Sequence, residues 1–211
     1  MRTRYRYSAF ASNTPNMTST LKSEALNTVT LLQKGKVIAY PTETIWGIGC
    51  NADNLEAIER IFSIKKREKG KALLVLVDEL DTVLKYKPHL NELEKGLLLA
   101  PSPTTVILDG IQNFPAALKG TNNSLAFRIT QHPFCKAVIQ QTKIPLVSTS
   151  ANISGEKSAT CKKELSAAIV NCVDHVVNYV ASKPEPGANQ LEQKASRIVK
   201  VVEGKVITIR A

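Results

Sequence analysis

Residues 65–71 read Lys-Lys-Arg-Glu-Lys-Gly-Lys, the densest cationic cluster of the chain. Lys65 and Arg67 are two apart, so a continuing helix would turn them to different faces. If the helix ends there and unwinds through Glu68–Gly70, both heads converge on one anion, with Lys71 assisting. Arg128 in Leu-Ala-Phe-Arg-Ile-Thr adds a guanidinium, and Ser148-Thr149-Ser150-Ala151-Asn152 adds hydroxyls and an amide. A third group, residues 41–50, gathers Thr42, Glu43, Thr44 and the only tryptophan, Trp46, before Gly47-Ile48-Gly49. These groups bind anions rather than attack bonds. Phosphoryl chemistry needs such an inventory, because positioning and charge neutralisation carry it without a protein nucleophile. The same cationic run also suits a solvated basic face, or a patch that tracks RNA phosphates.

Other chemistries fit less well. Gly47-Ile48-Gly49-Cys50-Asn51-Ala52 has the form of a dinucleotide fingerprint, but Pro41 separates it from the apolar run that should lead directly into it. Gly70-Lys71 is followed by alanine, so there is no Walker A sequence. Ser154-x-x-Lys157 and Ser150-Ala151-Asn152 match fragments of acyl-serine enzymes, without the Lys-Thr-Gly element. The four cysteines and three histidines are scattered, which argues against a zinc site and for buried thiols in a reducing compartment.

The chain has 211 residues, 43% of them hydrophobic, and a net charge of +10. That supports one large domain whose partners are anionic: nucleotides, nucleic acid or phosphorylated substrates. No apolar run approaches the ~20 residues of a membrane span. Residues 1–16 carry three arginines and no acid, without the apolar segment of a secretory signal. A disordered extension is expected there, an organelle transit peptide or an upstream start being alternatives, and the folded domain is expected over 17–211.

The elements that must position these groups follow from pattern. Leu21, Ala25, Val29 and Leu32 predict a helix over 17–34, ending at Gly35. Val37–Tyr40 reads as a short buried strand that Pro41 ends. Asp53 or Asn54 would cap a helix to Lys65 with Leu55, Ile58, Ile61 and Phe62 inward. Residues 72–77 form a buried strand, helices follow at 79–86 and 91–99, and a strand at 105–108. In the strand 125–130, Leu125, Phe127 and Ile129 alternate with Arg128 on the other face. His132-Pro133 opens a helix, and 148–152 is expected to be a turn. A helix near 161–171 and a strand near 173–178 precede a mobile crossover over 181–191. Strands at 197–202 and 205–210 flank a two-residue turn, Glu203-Gly204. This is an α/β pattern with a mixed sheet, antiparallel at its C-terminal end.

Pro-Thr-Glu-Thr-Ile-Trp-Gly-Ile-Gly, Lys65-x-Arg67 with Lys71, Pro101-x-Pro103-x-Thr105, Leu-Ala-Phe-Arg-Ile-Thr-Gln-His-Pro and Ser-Thr-Ser-Ala-Asn-Ile-Ser-Gly occur in this order. Together they resemble the YrdC-like family of threonylcarbamoyl-AMP synthases, from about residue 20 to Arg210. The resemblance implies one domain with a twisted mixed sheet and flanking helices around a basic cavity. It implies a cytoplasmic nucleotidyltransferase that uses ATP with Mg²⁺, L-threonine and bicarbonate or CO2. The carbamate of threonine attacks the α-phosphorus and pyrophosphate leaves. The product then serves tRNA threonylcarbamoyladenosine modification through downstream transfer proteins. A basic RNA-binding module without catalysis remains the alternative, and weak RNA or tRNA binding is compatible with the enzyme.

Carried over by motif, Lys65 and Arg67 would hold ATP phosphates, with Ser150 and Asn152 on the nucleotide and metal-phosphate side. These four are the implied catalytic set. Thr42, Thr44, Arg128, Ser148 and Ser196 would bind threonine, Arg128 taking its carboxylate. Lys71, Ser124, Ser158 and Arg210 would add nucleotide contacts. Glu68 stands where many relatives have proline, Ser102 where glycine is usual, Trp46 in place of tyrosine or phenylalanine, and Leu76 where some relatives carry a histidine near threonine. Ending at Ala211, the chain is expected to be the short, single-domain form. Glu43 has no role in this scheme beyond fixing its loop.

Overall fold

A computed structural model of the chain describes residues 19–66, 73–179 and 194–211. Leu21, Ala25, Val29 and Leu32 form the buried stripe of helix α1 (Ser19–Gln33). Strands β1 (Ile38–Tyr40) and β2 (Gly47–Gly49) come next. Asn54 Oδ1 accepts the Ala57 N–H at 2.8 Å and caps helix α2 (Leu55–Ile64), satisfying one of the donors a helix start leaves open. The chain continues through β3 (Leu74–Val77), α3 (Leu80–Leu84), α4 (Glu92–Leu98), β4 (Thr104–Leu108), β5 (Leu125–Ile129), α5 (Pro133–Thr142) and β6 (Leu146–Ser150). It closes with α6 (Ala167–Val170), β7 (His175–Val176), β8 (Arg197–Val202) and β9 (Lys205–Arg210).

The strands form one mixed sheet in the order β7-β1-β2-β6-β3-β5-β4-β8-β9. Strand side chains alternate between faces, so the register sorts them into two layers. On one face Val75, Phe127, Val147, Val106 and Val199 meet Ile58, Ile61 and Phe62 of α2, Val83 of α3 and Leu98 of α4. On the other, Ile38, Tyr40, Leu76 and Leu146 pack under α1 and α5. Each large apolar side chain buried this way contributes roughly 1.5–3 kcal/mol, so these two layers dominate the stability. Helices α1 and α5 cover only the β1 half of their face. Leu74 marks their border: it packs against that core and also lines a cavity over the β5-β4-β8 half. The helix arrangement therefore makes the site.

Several expectations need correction. Residues 148–150 belong to β6 rather than to a turn, which starts at Ala151. Leu55 is 55% exposed because it sits at the first helical position, outside the buried stripe. The helix expected near 161–171 breaks in two: a 3-10 turn at Lys162–Glu164, an extended Leu165, then a short α6 started by the Ser166 cap. Residues 173–178 pair over only two residues. The strand pair at 197–210 lies as expected, with Glu203 and Gly204 both at positive φ in its turn. Residues 1–16, Arg67, Lys71 and the 181–191 crossover lie outside the described residues.

Candidate active site

The cavity holds about 340 Å³, in the range of small-molecule sites. Its walls come from the loop after β1, from β2, β3, β4, β5, β6, β8 and β9, and from Ala195 and Ser196 just before β8. The first loop is locked by its own hydroxyls. Thr42 Oγ1 donates its one proton to the Ile45 carbonyl at 2.8 Å and accepts the Thr44 N–H at 3.1 Å. In the 2.9 Å contact between the two hydroxyls, Thr44 must therefore be the donor. Arg128 Nη1 in turn donates to Thr44 Oγ1 at 3.2 Å. Thr44, which lines the cavity, is left with a lone pair and no proton, so it can only accept from a ligand.

Arg128 is 3% exposed and also lines the cavity. Its Nε lies 3.2 Å from Glu43 Oε1, an ion pair that is not aligned as a hydrogen bond. Glu43 Oε2 accepts the Thr130 hydroxyl at 2.8 Å, and Thr130 Oγ1 accepts the His132 N–H at 3.2 Å. Burial above all lowers the His132 pKa to about 4; the Glu43 charge opposes this, and the Arg128 charge adds a smaller push downward. The imidazole is neutral at pH 7.

Gly47 and Gly49 make β2 possible between β1 and β6. A Cβ on Gly49 would stand 2.0 Å from the Val147 carbonyl oxygen and 2.9 Å from the Tyr40 ring. One on Gly47 would stand 3.3 Å from Ser148 Oγ, at the cavity wall. The Gly-x-Gly pattern thus serves close strand packing, with no phosphate-cradling loop. Ser148 and Ser150 reach the cavity because alternate residues of β6 share its face.

Lys65 ends α2 and is 1% exposed. Its Nζ donates to the carbonyls of Ser150 at 2.6 Å and Asn152 at 2.7 Å, with Ser150 Oγ at 3.5 Å. The ammonium thus grips the chain just after β6 and is not part of the cavity wall. Asn152 Nδ2 donates to the Ile153 and Glu156 carbonyls, while its buried Oδ1 has no hydrogen-bond partner.

The far wall is a latch. Arg210 Nε and Nη2 donate to the Ser196 carbonyl at 3.1 and 2.7 Å, and Ser196 Oγ sits 2.8 Å from Thr105 Oγ1. Burial, then the neighbouring Arg128 charge, lower the Arg210 pKa from its ordinary value.

The structure therefore brings Thr42, Thr44, Arg128, Ser148, Ser150, Ser196 and Arg210 to one cavity. Lys65 and Asn152 stand just outside its wall, at the end of β6. Ser124 and Ser158 are not part of the lining; Ser124 closes a tight turn, with its carbonyl accepting the Gly120 N–H at 2.8 Å. Leu76 is fully buried under α1 and α5, and the cavity residue of β3 is Leu74. Sequence reasoning missed Glu43 as the partner of Arg128. It also missed Thr105, although that residue alternates with the core residue Val106 and so had to face the site.

The fold is thus an α/β domain whose mixed sheet leaves half of one face open as an arginine- and hydroxyl-lined cavity. The family model Sua5_yciO_yrdC, described as telomere recombination, matches residues 30–211, and the chain belongs to the Sua5/YciO/YrdC family. A threonylcarbamoyl-AMP synthase from Pseudoalteromonas translucida is 33% identical over 84% of this chain and 93% of its own length. The fold superposes on P. abyssi Sua5 complexed with L-threonine with a TM-score of 0.78 at 22% identity, covering 90% of this chain and 54% of that one. The chain thus spans about half of P. abyssi Sua5. E. coli YciO matches with a TM-score of 0.74 at 21% identity, covering 90% of this chain and 89% of its own. Among the described residues no helix is long and apolar enough to cross a membrane.

Proposed function

We infer that this chain is an enzyme that joins threonine, bicarbonate or CO2, and ATP into threonylcarbamoyl-AMP, with release of pyrophosphate. The observation that carries this reading is the 33% identity to a threonylcarbamoyl-AMP synthase along nearly the whole of that relative. The arginine- and hydroxyl-lined cavity supports it. In the reaction, threonine's amine takes up CO2, and a carbamate oxygen bonds to the α-phosphorus of ATP as the bond to pyrophosphate breaks. This is nucleotidyl transfer.

In this reading Arg128 receives the threonine carboxylate, since a guanidinium presents parallel donors to two oxygens. Thr44 Oγ1, an acceptor only, receives a ligand N–H or O–H. Ser148 and Ser196 complete the amino-acid end. Ser150, Asn152 and Arg210 serve the nucleotide end, and Lys65 holds that end in shape. Arg67 and Lys71 keep the nucleotide roles implied by their motif, whereas Ser124 and Ser158, outside the cavity lining, take no part in this reading.

Mg²⁺ would enter with ATP and offset triphosphate charge. Asn152 Oδ1, buried without a hydrogen-bond partner, and the Ser150 hydroxyl are oxygen donors of the hard type this ion accepts. The product would pass to proteins that transfer the threonylcarbamoyl group to tRNA. Protein, ATP, Mg²⁺, threonine and bicarbonate should release pyrophosphate, and a rate no higher than that of a threonine-free control would refute the reading.

A further inference from the structure

We propose that Glu43 is the positioning residue for Arg128, and that it sets the affinity of the site for its amino-acid substrate without touching that substrate. The proposal rests on the threonine role of Arg128 given above.

The geometry assigns this role from behind the site. Arg128 lines the cavity and Glu43 does not. The carboxylate is divided between two partners: Oε1 lies at 3.2 Å from Arg128 Nε, and Oε2 accepts from Thr130 at 2.8 Å. Thr130 is fully buried and anchored to the backbone at His132, so the support of Glu43 is fixed at the end of β5. Arg128 is thereby held at two points on the first loop, by charge at Nε and by the Thr44 hydroxyl at Nη1. A long side chain held at two points has few rotamers left. An incoming carboxylate then meets a guanidinium already oriented and loses less entropy in ordering it.

Glu43 does two further things. It is the carboxylate paired with Arg128, which keeps a nearly buried guanidinium charge from standing alone. Nε itself is buried beside Glu43, so a substrate carboxylate is steered to the remaining edge of the fork. The nucleotide end of the cavity, at Ser150 and Arg210, has no bond to this carboxylate among the described residues.

Glu43→Gln keeps an acceptor for Thr130 and the side-chain shape but removes the charge that holds Nε. In the threonine-dependent pyrophosphate assay it should raise the KM for threonine about fivefold or more while leaving the KM for ATP within about twofold. In an Arg128→Lys background the same substitution should add less than about twofold, because residues that act through one contact are not additive. Equal changes in both KM values, or full multiplication of the two single effects, would overturn the proposal. An independent readout is the Arg128 Nε–H resonance, assigned by its loss in Arg128→Lys. In the wild type it should exchange slowly with solvent, and at least about tenfold faster in Glu43→Gln. Unchanged exchange would also overturn the proposal. If the wild type released no pyrophosphate, the functional reading would fall, and the exchange rate would still decide whether Glu43 holds Arg128.

Discussion

The buried ammonium of Lys65 and the carbonyl of Ser150 are 2.6 Å apart, which ties the end of α2 to the end of β6. A second carbonyl, that of Asn152, lies 2.7 Å from the same nitrogen. Two charge-assisted bonds to main-chain oxygens make this lysine a structural clasp for the loop that carries Ser150 and Asn152.

Lys65→Met should therefore lower stability by about 3 kcal/mol, from lost charge-assisted bonds and two stranded carbonyls. Urea denaturation measures the loss, and pyrophosphate release should fall with it. A variant that kept full stability and lost activity would instead place the ammonium on the substrate.

Glycine at 49 is a packing requirement. In Gly49→Ala the new methyl would overlap the Val147 carbonyl oxygen of the neighbouring strand, at 2.0 Å. Backbone cannot swing aside as a side chain does, so the cost should reach about 3 kcal/mol, the upper end for overpacking. Thermal unfolding checks it, and an unchanged midpoint would show that β2 and β6 can part freely.

Removing the charge partner should hurt more than moving it. Arg128→Ala leaves the mostly buried Glu43 carboxylate without its charge partner, which should cost about 3 kcal/mol. Arg128→Lys keeps a charge but not the fork, so it should lose threonine affinity with a smaller loss of stability. Denaturation and calorimetry on both variants separate the two effects.

Acid should weaken the fold through His132. Its folded pKa is about 4, below the unfolded value of about 6.5, so between these values the unfolded chain binds a proton that the folded chain refuses. Stability is complete above pH 6.5 and falls as the pH drops toward 4, by up to about 3 kcal/mol from this residue. Glu43 and Arg128 face it with opposite effects, burial being the largest cause. Urea midpoints from pH 7 to 4.5 should fall less steeply in His132→Gln, and parallel curves would remove His132 from the account.

Thiol reactivity should divide the cysteines into pairs. Against the expectation of buried thiols, Cys161 and Cys172 are exposed; Cys50 and Cys135 are buried, and burial raises the pKa of both, that of Cys50 to about 12. Native labelling with iodoacetamide should add two groups, and labelling in denaturant four. Four in the native state would mean that the cores open on the labelling timescale.

The sequence made the sheet readable wherever an apolar run was bounded by proline or glycine, as at β1, β3 and the hairpin of β8 and β9. Arg128 could be placed on the cavity face because β5 alternates strictly. Strand β2 was hidden, since two glycines in three residues resemble a turn unless the carbonyl pressing on Gly49 is known. Glu43 was opaque for a related reason. Its partners lie on β5 and just beyond it, far along the chain, and no local pattern encodes that meeting. The segment at 161–171 misled because Leu165 is extended and Ser166 caps a new short helix within it.

The latch of Arg210 onto Ser196 has a consequence for the order of events in time. The cavity gathers Thr42 near the start of the described chain and Arg210 near its end. Such a wall forms only after distant segments have met, and contacts of long sequence separation are the slowest to form. Substrate binding should therefore be among the last properties to return on refolding, after both helical layers have closed. The outer hairpin is the exposed flank of the sheet, so binding should also be among the first properties lost on gentle heating.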